Sequence, residues 1–198
     1  MKADFPTPEA FEHAAWFLMC EANALRAVAV VEAGPLGGFN DDGTPVVLFE
    51  RHKFDAWTNG RFRGRRVPGL PDAVSVISSP VRDRKTYGAS SIQHTKLAFA
   101  ATLDREAALK SASWGLFQIL GENHLAAGFP ELQDFINAMV RDVDGHLRAL
   151  VMFIRNNRRL LTAVRSRDWP IVALHYNGPK FKENQYDTKM ATAYEKLA

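Results

Sequence analysis

Cysteine is the scarcest functional residue in this sequence: Cys20 is the only one among 198 residues, so no intrachain disulfide can staple the fold. It sits in AAWFLMC, where a thiol reads as a small hydrophobe, and no partner base is marked that would make it a nucleophile. Long apolar runs are missing too. None approaches the roughly 18 residues that a membrane span requires. The stretch MKADFPTPEAFEHAAWF carries Asp4, Glu9 and Glu12 where a secretory leader needs an uninterrupted apolar centre, so synthesis in the cytosol without an export signal is the expectation. The six histidines, His13, His52, His94, His124, His146 and His175, show no H-E-x-x-H spacing, which argues against a zinc enzyme and predicts no metal or other cofactor.

Excess charge of one sign is also lacking. Lysine and arginine total 25 against 22 acidic residues, a formal charge of +3 with a pI near 9.1. That balance suits peripheral contact with an anionic envelope without identifying one. The basic segment RFRGRR, residues 61–66, interleaves phenylalanine with arginine as single-strand binders do, but it is one short patch with no recognisable binding fold around it. A solvated loop is the preferred reading, and no nucleic-acid partner is expected. Repeats, heptads and low-complexity tracts are absent.

What the chain does have is apolar residues, 46%, enough to close one good core in a single domain spanning 1–198. Thr7-Pro8-Glu9 reads as an N-cap and first turn of a helix running to about Cys20. ANALRAVAVVEAG, residues 22–34, predicts a second helix, buried nearly all round and stopped at Gly34-Pro35. GGFNDDGTP is dense in turn residues, with Asp42-Gly43 as a hairpin turn, and VVLFERHKF reads as a strand. Residues 57–88 have no sustained period and form an irregular, arginine-bearing excursion. From Ser91 onward the spacing predicts helices: SIQHTKLAFAATL, REAALKS capped by Asp104, ELQDFINAMV, an amphipathic helix through Val143 and Ile154, WPIVALHYNGP capped by Asp168, and TKMATAYEKL capped by Asp187. The fold class is mainly α (α+β), with a small β-hairpin after the second helix.

Two glutamates stand where glutamate is costly. Glu32 closes an apolar helix, and both burial and the negative end of the helix disfavour its charge, pushing it toward the protonated acid that glycosidic cleavage needs. Glu50 lies 18 residues later, between Phe49 and Arg51. It reads either as an ion-pair partner of Arg51, Lys53 or a distant arginine, or as a second carboxylate across a cleft. A separation of roughly 5–5.5 Å would suit a nucleophile and roughly 6.5–9.5 Å an activated water. His52 stands beside it, either solvated or helping to position it. Trp114 reads as core or as a stacking face for a sugar, and Phe117 as core.

SASWGLFQILGENH (111–124) and ALHYNGP (173–179), taken with a glutamate ending an apolar helix, resemble the lysozyme-like muramidases and lytic transglycosylases. The resemblance is closer to the N-acetylmuramidase family of phage and prophage endolysins, through VEAGPLGGF, PVVLFERHKF, SASWGLFQILG, HYNGP and YDTKMATAY in that order. This resemblance implies a lysozyme-like fold and cleavage of the β-1,4 bond between N-acetylmuramic acid and N-acetylglucosamine in peptidoglycan. It puts Glu32 at the general-acid position and Glu50 at that of the second carboxylate. Gln118 and Tyr176, with Ser113 and Asn177, fall at cleft-lining positions that contact the glycan strand, and Trp114 joins them as a candidate stacking face. Lytic transglycosylation, which closes a 1,6-anhydro ring and needs only one glutamate, is the alternative within the same superfamily. The expected enzyme is a monomer without a separate wall-binding module, acting on periplasmic peptidoglycan once another protein has opened the membrane.

Overall fold

The computed structural model describes residues 5–33 and 37–197, with Arg84 described in its backbone only. The first helix, α1 (Pro8–Leu18), starts as its sequence dictates: Thr7 Oγ1 accepts from the Ala10 N–H at 3.2 Å and Pro8 fills the first turn. It ends before Cys20, because Met19 adopts a left-handed φ of 51°. Cys20 therefore lies between helices, half-buried, and burial pushes its thiol up to about 11. The second helix, α2 (Ala22–Ala33), buries Ala24, Leu25, Ala27, Val28 and Ala29. Small side chains let neighbouring helices close on three sides of it. The stop expected at Gly34-Pro35 lies outside the described residues.

The turn at Asp42-Gly43 forms: the Thr44 N–H donates to Asp42 Oδ1 at 2.9 Å, and Gly43 supplies a φ of 78°. Its flanks meet only at a single bridge, Phe39 opposite Pro45, because proline has no N–H to extend the ladder. The hairpin is thus one bridge, and the sheet is built elsewhere. Strand β1 (Val47–Phe49) pairs antiparallel with β2 (Ala112–Trp114), Val47 facing Trp114, and β2 pairs with β3 (Ile119–Leu120). VVLFERHKF, read above as all strand, divides at Glu50. The Glu50 carbonyl accepts from Lys53 and Phe54 N–H groups at 2.9 and 3.1 Å and starts helix α3 (Arg51–Trp57), which buries Arg51, Phe54 and Asp55 at helical spacing.

The excursion over 57–88 is largely irregular, as expected, with a short helix α4 (Asp72–Ser75) and a bridge between Arg66 and Val76. Its basic segment is pinned down. Arg63 forks onto Asp55 with two 2.8 Å bonds, Arg61 meets Asp104, Arg66 meets Asp72, and Phe62 stacks on Phe54.

Helix α5 (Gln93–Leu103) contributes two buried polar residues that hold the end of this excursion. Gln93 Nε2 donates to the Tyr87 carbonyl at 2.8 Å while its Oε1 accepts from the Phe49 N–H, and the buried Lys96 ammonium donates to the same carbonyl at 3.1 Å. Burial pushes the Lys96 ammonium down to about 8. Asp104 caps α6 (Arg105–Lys110) through the Ala107 N–H.

Four further helices complete the core: α7 (Leu132–Arg141), α8 (Val143–Asn156) capped by Asp142, α9 (Arg158–Ser166) capped by Asn157, and α10 (Trp169–Asn177) capped by Asp168. Helix α9 has no counterpart in the sequence reading, although Leu160, Ala163 and Val164 mark its buried stripe. The last helix, α11 (Tyr186–Leu197), packs on α2 and α10. It begins at Tyr186, after a left-handed Gln185, so Asp187 sits in its first turn and not at the cap.

Candidate active site

Four segments far apart in sequence converge on one cleft: the end of α2, the β1–α3 junction, β2, and the end of α10. Glu32 is in the last turn of α2, and Asn177, the last residue of α10, donates from Nδ2 to both of its carboxylate oxygens at 3.0 and 3.1 Å. Burial dominates over that amide and pushes the Glu32 carboxyl up to about 7. At neutral pH this group is divided between acid and carboxylate. Asn177 Oδ1 is buried without a partner among the described residues.

Glu50 approaches from the other side, 7% exposed at the point where strand becomes helix. Ser113, on β2, donates its hydroxyl to Oε1 at 3.3 Å, and His52 Nε2 lies 3.4 Å from Oε2. The His52 ring is held in turn by Tyr87, whose hydroxyl is 3.3 Å from Nδ1. Burial lowers the His52 pKa against the opposing pull of Glu50, with Arg82 and Lys53 lowering it further and Glu122 raising it. A neutral ring that accepts from the Tyr87 hydroxyl at Nδ1 carries its proton on Nε2, facing Glu50. Of the ion-pair partners that the sequence offered Glu50, Lys53 is engaged with Glu122 instead.

Gln118 lines the cleft from a strained position. Its φ is 48°, and its side chain donates back to the Gly115 carbonyl at 2.8 Å. Gly115, with a φ of 67°, cannot be replaced without collision, since a Cβ would stand 2.8 Å from the His146 ring. That histidine, 1% exposed, accepts from the Leu116 N–H at Nδ1 and reaches the Met139 carbonyl from Nε2 at 2.7 Å. It props the whole Gly115–Gln118 turn and was not singled out from the sequence. Its place at buried helical spacing in α8, beside Leu147 and Leu150, was the available signal.

Tyr176 forms a wall, its ring edge-on to Phe153 and its hydroxyl donating to the Phe117 carbonyl at 3.1 Å. Burial, then the charge of Glu32, raises its hydroxyl pKa well above normal, so it stays protonated. Phe117 is core, as expected. Trp114 does not reach the cleft: it is 4% exposed, and its indole N–H donates to the Leu109 carbonyl at 3.2 Å. Alternation along β2 is the reason. Ser113 points at Glu50, so its neighbour Trp114 points into the core.

Glu32, Glu50, Ser113, Phe117, Gln118, Tyr176 and Asn177 share a cleft of about 580 Å³. A second lobe of about 390 Å³, sharing Arg82 with the first, adds His52 and His175, and an apolar lobe on the Glu32 side runs beside Val46, Leu48 and Gln118. The lobes share lining residues and form a groove suited to an extended polymer. Among the described residues no cluster of three histidine, cysteine or acidic side chains is arranged to hold a metal ion.

Comparison with known proteins agrees with this geometry. Among solved structures, the crystal structure of an endolysin from Burkholderia phage AP3 is similar, with a TM-score of 0.83 and 31% identity over 99% of this chain and 73% of that one. The comparison with curated proteins gives no match. The sequence model of the N-acetylmuramidases matches residues 21–198, and the chain therefore belongs to the N-acetylmuramidase family of glycoside hydrolases acting on peptidoglycan.

Proposed function

We propose that this protein cleaves the β-1,4 bond between N-acetylmuramic acid and N-acetylglucosamine, with Glu32 as the general acid and Glu50 as the second carboxylate. The observation that carries this reading is the unlike environment of two glutamates on one groove: Glu32 is held near neutrality by burial, while Glu50 accepts from Ser113 and faces His52. Glu32 gives its proton to the glycosidic oxygen as the anomeric C–O bond breaks. Positive charge builds at the anomeric carbon, which Glu50 stabilises, and Glu50 receives the proton of the entering water as its oxygen bonds that carbon. Asn177 Nδ2 then holds the Glu32 carboxylate left behind, and its unpaired Oδ1 is available to a sugar hydroxyl or amide. Ser113, Gln118, Tyr176 and Asn177 line the subsites.

The whole chain acts as one catalytic domain and as a monomer, a reading supported by α11 packing back onto α2 and by a site complete within one chain. Mass spectrometry of digested peptidoglycan tests the reaction. Reducing muramic ends are expected, and 1,6-anhydro ends would replace hydrolysis by transglycosylation. Access to the wall through a membrane lesion made by another protein belongs to the same proposal. Expression of this chain alone should leave cells intact, and rapid lysis would sink that part.

A further inference from the structure

The end of α1 exposes three large apolar side chains within four residues: Trp16 is 83% exposed, Phe17 41% and Met19 73%. Leu18 between them is buried together with Phe11, Ala14 and Ala15, so one face of α1 is anchored in the core while Trp16, Phe17 and Met19 lie at its exposed end. Scattered exposed hydrophobes are ordinary on a folded protein, but a contiguous group led by tryptophan marks a contact surface.

The cationic side chains around this apex give the chemistry of the partner. RNNRRLLTAVRSR, residues 155–167, holds five arginines and no aspartate or glutamate. Two of them touch the apex directly. The Arg155 guanidinium lies 4.4 Å from the centre of the Phe17 ring, and Arg165 Nε donates to the Leu18 carbonyl at 2.8 Å. Arg158 precedes Arg165 by seven residues on α9, two helical turns, and so shares its face. Arg167 is paired with Glu21, which removes that acid from the balance, and Glu9 and Glu12, two turns and one turn before Trp16 on α1, are further acids of this edge. The result is an exposed indole and thioether beside the guanidinium groups of Arg155 and Arg165, with Arg158 further along the same face of α9. Tryptophan favours the headgroup depth of a bilayer, and arginine pairs with phosphate while its stem covers apolar surface.

We propose that the end of α1, together with the arginines of α8 and α9, docks this protein on an anionic phospholipid bilayer. The contact is peripheral: only side chains enter the interface, and among the described residues no single helix is long and apolar enough to cross a membrane. None of these residues lines the catalytic groove. The groove therefore stays open while the protein is docked, and the inference stands apart from the muramidase reading.

Co-sedimentation with vesicles tests it. Wild-type protein should pellet with vesicles of phosphatidylglycerol and phosphatidylcholine in equal parts, remain in solution with phosphatidylcholine alone, and be released by salt. Trp16→Ser with Met19→Ser, and separately Arg155→Gln with Arg158→Gln, should each weaken binding by about tenfold or more. Both variants should keep wild-type melting temperatures and cleave soluble peptidoglycan fragments at the wild-type rate. Equal binding to both vesicle types, or anionic-vesicle binding unchanged in the Trp16/Met19 variant, overturns the proposal. Sedimentation showing a dimer that Trp16→Ser dissolves would assign the surface to a second copy of the chain and overturn it as well.

Discussion

Glu32 and Glu50 face the same groove from opposite kinds of backbone. Glu32 ends a helix, where the helix dipole and apolar neighbours disfavour charge and one amide, Asn177, partly compensates. Glu50 stands at the start of a helix, where the dipole has the other sign, with a serine hydroxyl and a histidine facing its two oxygens. Two identical side chains thereby acquire different chemistry, and the difference comes from what surrounds each one.

The sharpest way to break this asymmetry is Glu32→Gln, which should lower turnover on peptidoglycan about a thousandfold with little change in fold. Near-normal turnover in that variant would falsify the general-acid assignment. The same substitution carries a stability signature. The Glu32 pKa rises from 4.5 unfolded to about 7 folded, so its contribution is fully present below about pH 4.5 and lost as pH rises through about 7. Denaturant titrations should show the wild type losing up to ~3 kcal/mol over that window, a loss absent from the glutamine variant.

Glu50→Gln should cost less, about ten- to a hundredfold in turnover, because the acid step survives it. A pH–rate profile should have its alkaline limb near 7, where Glu32 loses its proton. Since the Asn177 amide lowers that value, Asn177→Ala should move the limb to higher pH. A limb that stays in place would detach Asn177 from Glu32. Behind Glu50, Tyr87→Phe frees the His52 tautomer and should reduce turnover a few fold while leaving KM alone. Smallest is Trp114→Phe, which removes the indole bond to Leu109, costs about 1 kcal/mol in a melting experiment and leaves kinetics untouched.

The helices were legible because a packed helix leaves a period in its sequence. Caps at Thr7, Asp104 and Asp168 were legible for the same local reason: a short polar side chain satisfies backbone N–H groups three residues away. Legibility failed where a choice depended on a distant partner. Val47–Phe49 pairs with Ala112–Trp114, and no local pattern announces that β2 completes the sheet. The orientation of Trp114 followed from that pairing, so its removal from the cleft was invisible beforehand. His146 carries no local mark of its role, because the Gly115–Gln118 turn that it props lies about 30 residues away in the chain and meets it only in the folded structure.

By itself the sequence determined the helical character of the chain, the cost of placing Glu32 at an apolar helix end, and the motif order that resembles the N-acetylmuramidases. Those are consequences of local backbone chemistry and of composition. Only the tertiary structure decided that Asn177 reaches Glu32, that Ser113, His52 and Tyr87 gather behind Glu50, and that Trp114 turns inward. Each of these contacts joins residues that the chain separates and that only packing brings within hydrogen-bonding range.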